Sequence, residues 1–152
     1  MSRRKSRITA FQGLYSWDVG GMSEKDVLEL NWVESNSTEA REGDENEADE
    51  SAPKAKLDDE SAAFTRMLIA GTIENIEKID ETIKAHLTNW DFSRVNKVTI
   101  AILRMSVYSL MFTKDVEPSI VIDEAIDIAK NYGPDDSYKF VNAILDNIKK
   151  TL

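Results

Sequence analysis

Val98–Phe112 reads VTIAILRMSVYSLMF, apolar on nearly every side and interrupted by a single charge, Arg104. A helix that is apolar all round is a buried helix. This run is too short to cross a bilayer, so it predicts the central helix of a helical bundle. A guanidinium inside such a helix needs a carboxylate partner, because an unpaired buried charge costs several kcal/mol. Arg104 is therefore expected in a structural ion pair rather than at a ligand.

On the N-terminal side, Ser61–Leu87 keeps apolar residues at helical spacing: Phe64, Leu68, Ile76, Ile79, Ile83 and Leu87. It predicts one long amphipathic helix. His86, the only histidine, falls near its end and reads as structural. Asn89–Phe92 is a connection, and Ser93 is placed to cap the central helix. On the C-terminal side, Pro118 is placed to open a helix running to about Asn131. Val121, Ile122, Ala125, Ile128 and Ala129 make its apolar face, and Asp123, Glu124 and Asp127 a solvated acidic one. Tyr132-Gly133-Pro134 stops it. A last helix opens near Asp135 or Asp136, with Val141, Ile144, Leu145, Ile148 and Leu152 as its buried stripe. Phe140 sits at the rim of that stripe, and Lys139 points away from it. An aromatic beside an exposed base suits stacking on an unpaired nucleobase with a phosphate contact alongside; an edge-of-core role for Phe140 is the alternative.

The chain opens with SRRKSRITAFQGLYSW, Ser2–Trp17, which packs Arg3, Arg4, Lys5 and Arg7 together ahead of Ile8, Phe11, Leu14 and Tyr15 at helical spacing. A helix from about Ser6 to Val19, ended by Gly20-Gly21, is expected. Four cations at a helix N-terminus oppose the macrodipole. The arm is therefore expected to fray when free and to order against an anion such as a polyphosphate backbone. Gly13 marks a close helix crossing, and Ser23 begins a capping-box-like start to a short helix.

The 152 residues carry a net charge of −9, which by itself argues against a nucleic-acid partner. The distribution reverses that reading. Glu34–Glu60 holds 11 acids against 3 bases, and so about eight of the nine net negative charges. This stretch has no apolar period and cannot offset its ordering entropy, so 34–60 is expected to be a disordered acidic insertion. It is either a solubilising segment or an internal phosphate mimic competing for the basic arm. There is no cysteine, which removes disulfides and thiolate metal sites. No Gly-rich phosphate loop, metal-ligand cluster or nucleophile elbow is visible. The expectation is one all-α domain over 1–152, a compact bundle of about six or seven helices without catalytic groups, cofactor or membrane span.

Four motifs in order give the chain a resemblance to the NusB family of transcription antitermination proteins. They are Arg7-x-x-Ala10-x-Gln12-x-Leu14-Tyr15-Ser16-Trp17; Ile102-Leu103-Arg104 with Tyr108-x-Leu110; Glu124-Ala125-Ile126-x-x-Ala129-Lys130-x-x-Gly133; and Ser137-x-Lys139-Phe140-Val141-Asn142-x-x-Leu145-Asp146. The resemblance implies two packed helical sub-bundles and a cytoplasmic, non-catalytic protein. It also implies binding of boxA-type single-stranded RNA in nascent rRNA transcripts, with the ribosomal protein NusE as partner and further Nus factors on RNA polymerase. Carried over by position, the RNA surface comprises Arg3, Arg4, Lys5, Arg7, Tyr15, Asp136, Lys139 and Phe140, with the cationic tip and both rings sharing one patch. Part of the central helix and its successor would face NusE. Departures from the family pattern are Ala143 for a frequent glycine, Ser109 for a commonly acidic residue, and a longer acidic insertion. The competing reading is a helical protein-binding adaptor or homodimer without RNA, whose partner covers the apolar central helix. Similar helical modules precede rRNA cytosine methyltransferase domains, but no cofactor-binding domain follows Leu152, so catalysis is not expected.

Overall fold

The computed structural model describes residues 3–33, 57–88 and 90–152. Among them are seven α-helices and no strand: α1 Arg3–Asp18, α2 Glu24–Glu29, α3 Asp59–Glu74, α4 Ile76–Ala85, α5 Lys97–Phe112, α6 Pro118–Tyr132 and α7 Ser137–Lys150. A 3-10 turn, Phe92–Arg94, leads into α5. The central helix is as its composition dictates: every residue from Thr99 to Leu110 is buried. Around α5 pack two groups, α1 with α2 and α3 on one side, α4 with α6 and α7 on the other. These are the two sub-bundles, and α5 belongs to both.

Arg104 lies inside this core with its side chain 10% exposed. Its Nε and Nη2 donate to the two carboxylate oxygens of Asp80 at 2.9 and 2.8 Å. Its Nη1 lies 3.2 Å from Asp18 Oδ2. One guanidinium thus joins the end of α1, α4 and α5. The predicted close crossing at Gly13 is also present: a Cβ there would meet Ile69 and Trp32 at 3.0 Å. A tighter one, not read from the sequence, is at Gly71 in α3, where a Cβ would lie 2.3 Å from the Tyr108 ring. Ser23 caps α2 by accepting from the Asp26 N–H. Pro118 opens α6, and Gly133 follows its end. His86 ends α4 with Nδ1 2.9 Å from the Thr82 carbonyl.

Several boundaries differ from the sequence reading. The expected single helix over Ser61–Leu87 is two helices broken at Asn75. The Asn75 backbone N–H and its side-chain Nδ2 both donate to the Gly71 carbonyl, at 3.1 and 2.9 Å. An asparagine amide competing for backbone acceptors in this way interrupts the helical ladder. Helix α3 also begins earlier, because Asp58 accepts from the Ser61 N–H at 2.7 Å. That hydrogen bond holds the Asp58 carboxyl below its ordinary range. Asp58, Asp59 and Glu60 therefore belong to a capped helix start, where acids are favoured by the macrodipole, and not to the insertion. The disorder expected for 34–60 otherwise falls on residues 34–56, outside the described residues. Helix α5 is capped by Asn96 instead of Ser93; its Oδ1 accepts from the Val98 and Thr99 N–H groups. Leu152, assigned to the buried stripe, is exposed because α7 ends at Lys150.

Replacing Asp80 by Ala leaves the Arg104 charge buried with Asp18 alone. The change is expected to destabilise the protein by about 3 kcal/mol, the low end for a broken buried pair. Urea unfolding of the two proteins side by side measures it.

Candidate nucleic-acid interface

Helix α1 carries the cationic residues, and all of it from Arg3 onward is helical. The expectation that the arm frays without an external anion is corrected by the anions the chain itself supplies. Arg4 Nε donates to Glu124 Oε1 at 2.7 Å, and its Nη2 donates to Asp127 Oδ2 at 2.8 Å. The Glu124 carboxylate, then Asp127, hold the Arg4 guanidinium firmly in its charged form. The acidic face of α6 is thus only partly solvated: Asp123 faces water, while Glu124 and Asp127 engage the arm. Arg3 stacks on Phe64 of α3, its guanidinium 4.0 Å from the ring centroid, and lies 4.0 Å from Glu60. Arg7 is buried, 6% exposed, with its guanidinium 5.5 Å from the same ring. Burial pushes its pKa down, and Glu124 works against that shift. Arg7 is therefore part of the packing, not of an open grip. Lys5 is exposed on the same turn.

The second group of predicted residues gathers at the start of α7. Asp136 holds φ at 66°, a left-handed conformation that aspartate tolerates better than most residues. It turns the chain from Pro134 into the helix. Lys139, 68% exposed, reaches toward Asp136 at 3.9 Å. Phe140 is half-buried. The ring seated against it is that of Trp90, edge-on with centroids 5.5 Å apart, whereas Tyr15 packs half-buried onto the core from α1. Trp90 is 58% exposed, and the sequence reading treated it only as part of a connection. Trp90, Val95, Asn96, Thr99, Pro134 and Phe140 line a groove of about 280 Å³.

The two groups lie at opposite ends of α1. Arg4 at its start meets Glu124 and Asp127, and Phe11 meets the Tyr132 ring edge-on at 5.4 Å. Helix α1 thus runs alongside α6 in the same direction. Tyr15 lies one turn beyond Phe11. Asp18 reaches Arg104, whose guanidinium is 5.6 Å from the Phe92 ring, two residues from Trp90. The late turns of α1, the Trp90 loop and the α6–α7 turn therefore share one end of the molecule. Eleven residues of helix rise, roughly 16 Å, separate Arg4 from Tyr15. The single patch expected from the sequence is replaced by a strip with cations at one end and rings at the other.

The fold defines an all-helical bundle protein built around one buried helix. A sequence profile of the NusB family matches residues 4–150. The transcription antitermination protein NusB of Treponema denticola is 48% identical over 149 residues, covering 98% of this chain and 96% of the relative. Among solved structures, T. maritima NusB superposes with a TM-score of 0.76 at 32% identity, over 99% of this chain and 92% of that one. A chain from a structure of antitermination factors NusB and NusE in complex with dsRNA superposes at 0.75 and 28% identity, over 100% of both chains. The chain belongs to the NusB family of transcription antitermination factors. No helix among the described residues is long and apolar enough to cross a membrane.

The Arg4–Glu124 pair is partly exposed, with side chains at 41% and 21%. Its coupling, measured by a double-mutant cycle of Arg4→Ala and Glu124→Ala in urea unfolding, is expected to be about 0.5 to 1 kcal/mol. A near-zero coupling would mean that the pair does not order the arm.

Proposed function

We propose that this chain is a non-catalytic, cytoplasmic antitermination factor that binds boxA-type single-stranded RNA of nascent rRNA transcripts. It does so together with NusE, and the pair joins further Nus factors on RNA polymerase. The observation that carries the reading is the strip along α1. Exposed cations on Arg3 and Lys5, with the partly exposed Arg4 between them, attract phosphate, and at the far end Phe140 offers a ring beside Lys139. A strand stacked at about 3.4 Å per nucleotide needs roughly five nucleotides to run from Arg4 to Tyr15. Tyr15 lies along that path, and Asp136 sets the turn that presents Lys139 and Phe140. Arg7 contributes by holding the arm to Phe64 rather than by gripping phosphate. The superposition over 100% of both chains on a chain solved in a complex of NusB, NusE and dsRNA supports NusE and RNA as partners; the single-stranded boxA form is the proposal's own.

The adaptor or homodimer reading drew on an apolar central helix in need of cover. Here α5 is covered by its own chain from Thr99 to Leu110. For the same reason, a NusE-facing surface on α5 is confined to the helix ends. Phe112 at the end of α5 and Ile120 at the start of α6 are its exposed apolar residues there.

Phe140→Ala should weaken binding of matched RNA about tenfold at every salt concentration, as loss of one stacked base predicts. Arg3→Gln should instead lower the slope of log affinity against log salt by about one. Fluorescence anisotropy of matched and scrambled RNA across a salt series, with and without NusE, measures both. Identical behaviour of the two variants, or equal affinity for the two RNAs, would contradict the reading.

A further inference from the structure

We propose that Trp90 is a second base-stacking residue, and that one unstacked nucleobase of the RNA enters the groove between the Trp90 loop and the α6–α7 turn. The inference rests on the RNA reading above and names the part of the surface that reads a base. Trp90 is the most exposed large apolar residue among the described ones, at 58%, although indole is costly to leave in water. It stands on the segment before the 3-10 turn, outside any helix, where no helical packing explains its position. Its edge-on contact with Phe140, at an interplanar angle of 65°, places two rings at one groove without closing them on each other. Val95, Thr99 and Pro134 contribute to its mostly apolar lining.

The surroundings favour a nucleobase over an apolar side chain of a partner protein. Asp135 and Asp136 are in the groove's lining, and two cations stand by the rings: Lys139, 68% exposed and 3.9 Å from Asp136, one residue from Phe140, and Lys84, whose ammonium lies 5.0 Å from the Phe92 ring, two residues from Trp90. The two cations can meet the phosphates on either side of a base turned inward. Asn96 caps α5 through its carbonyl oxygen, so its side-chain amide presents N–H groups as donors at the groove wall. Stacking with a donor to the base edge is the usual way an unpaired base is read.

The test uses full-length protein with NusE and a boxA-type single-stranded RNA carrying 2-aminopurine at successive positions. Wild type should quench the probe strongly at one position. Trp90→Leu should remove that quench and weaken binding about tenfold, with the salt slope unchanged. Trp90→Phe should retain both. Hydroxyl-radical footprinting of the wild-type complex should show the Trp90 ring protected by RNA, a readout that does not depend on the variant folding. Wild-type affinity and quench in Trp90→Leu, or no protection of Trp90, would overturn the inference and leave the RNA reading standing. Loss of NusE retention with unchanged RNA affinity would overturn it in favour of a protein side chain in the groove. Failure of the wild type to bind RNA at all would overturn the parent reading as well.

Discussion

The Arg104 charge is the constraint on which the arrangement depends. A guanidinium in the middle of a largely apolar helix buried from Thr99 to Leu110 must be paired, because little water reaches it. Asp80 meets it through two parallel hydrogen bonds, and Asp18 supplies a second carboxylate. Those acids come from α4 and from the last residue of α1. Satisfying one charge therefore fixes the end of α1 against the central helix and draws α4 to the same place. Phe92 lies beside the same guanidinium, so the loop that carries Trp90 is anchored there too. The position of the ring cluster follows from the pairing of one buried cation.

Helix α1 then acts as a spacer. Its far end is tied by the Asp18–Arg104 contact, its middle by the close crossing at Gly13, and its start by Arg4 on Glu124 and Asp127. The repulsion between a basic start and the helix macrodipole is met by carboxylates from α6 and by the Phe64 ring. A pre-ordered arm loses less entropy on meeting RNA than a frayed one. It also keeps part of its positive charge occupied: Arg4 shares two carboxylates with any phosphate that arrives. In the described structure the carboxylates on the arm come from α6, with Glu60 of α3 near Arg3; the phosphate-mimic reading of the acidic insertion lies outside the described residues.

Much of this was legible in the sequence. The all-round apolar run at Val98–Phe112, the lone Arg104, the opening at Pro118 and the stop at Gly133 each rest on a local rule, and each is present in the structure. What was not legible depends on contacts between distant segments. The burial of Arg7 is decided by Phe64, 57 residues away. The break at Asn75 depends on a side-chain amide choosing a backbone acceptor, within an apolar period that continues through it. Ser93 fits a helix cap by residue type, but the 3-10 turn at Phe92–Arg94 intervenes and the cap falls to Asn96. Trp90 carried no period and no motif, so its position against Phe140 could be found only once the two ends of the fold were brought together. The four family motifs marked Phe140 and Lys139 by position, but not their partner.

The central claim is that RNA lies along α1, with its phosphates at the cationic start and an unpaired base at the ring cluster. Photo-cross-linking of 4-thiouridine placed at successive positions of a matched single-stranded RNA, followed by peptide mapping, tests it most directly. The account predicts two sets of cross-links at least about five nucleotides apart, one to the Arg3–Lys5 segment and one to the segments holding Trp90 and Phe140. Cross-links confined to one end of α1, or a bound RNA that never reaches the rings, would contradict it.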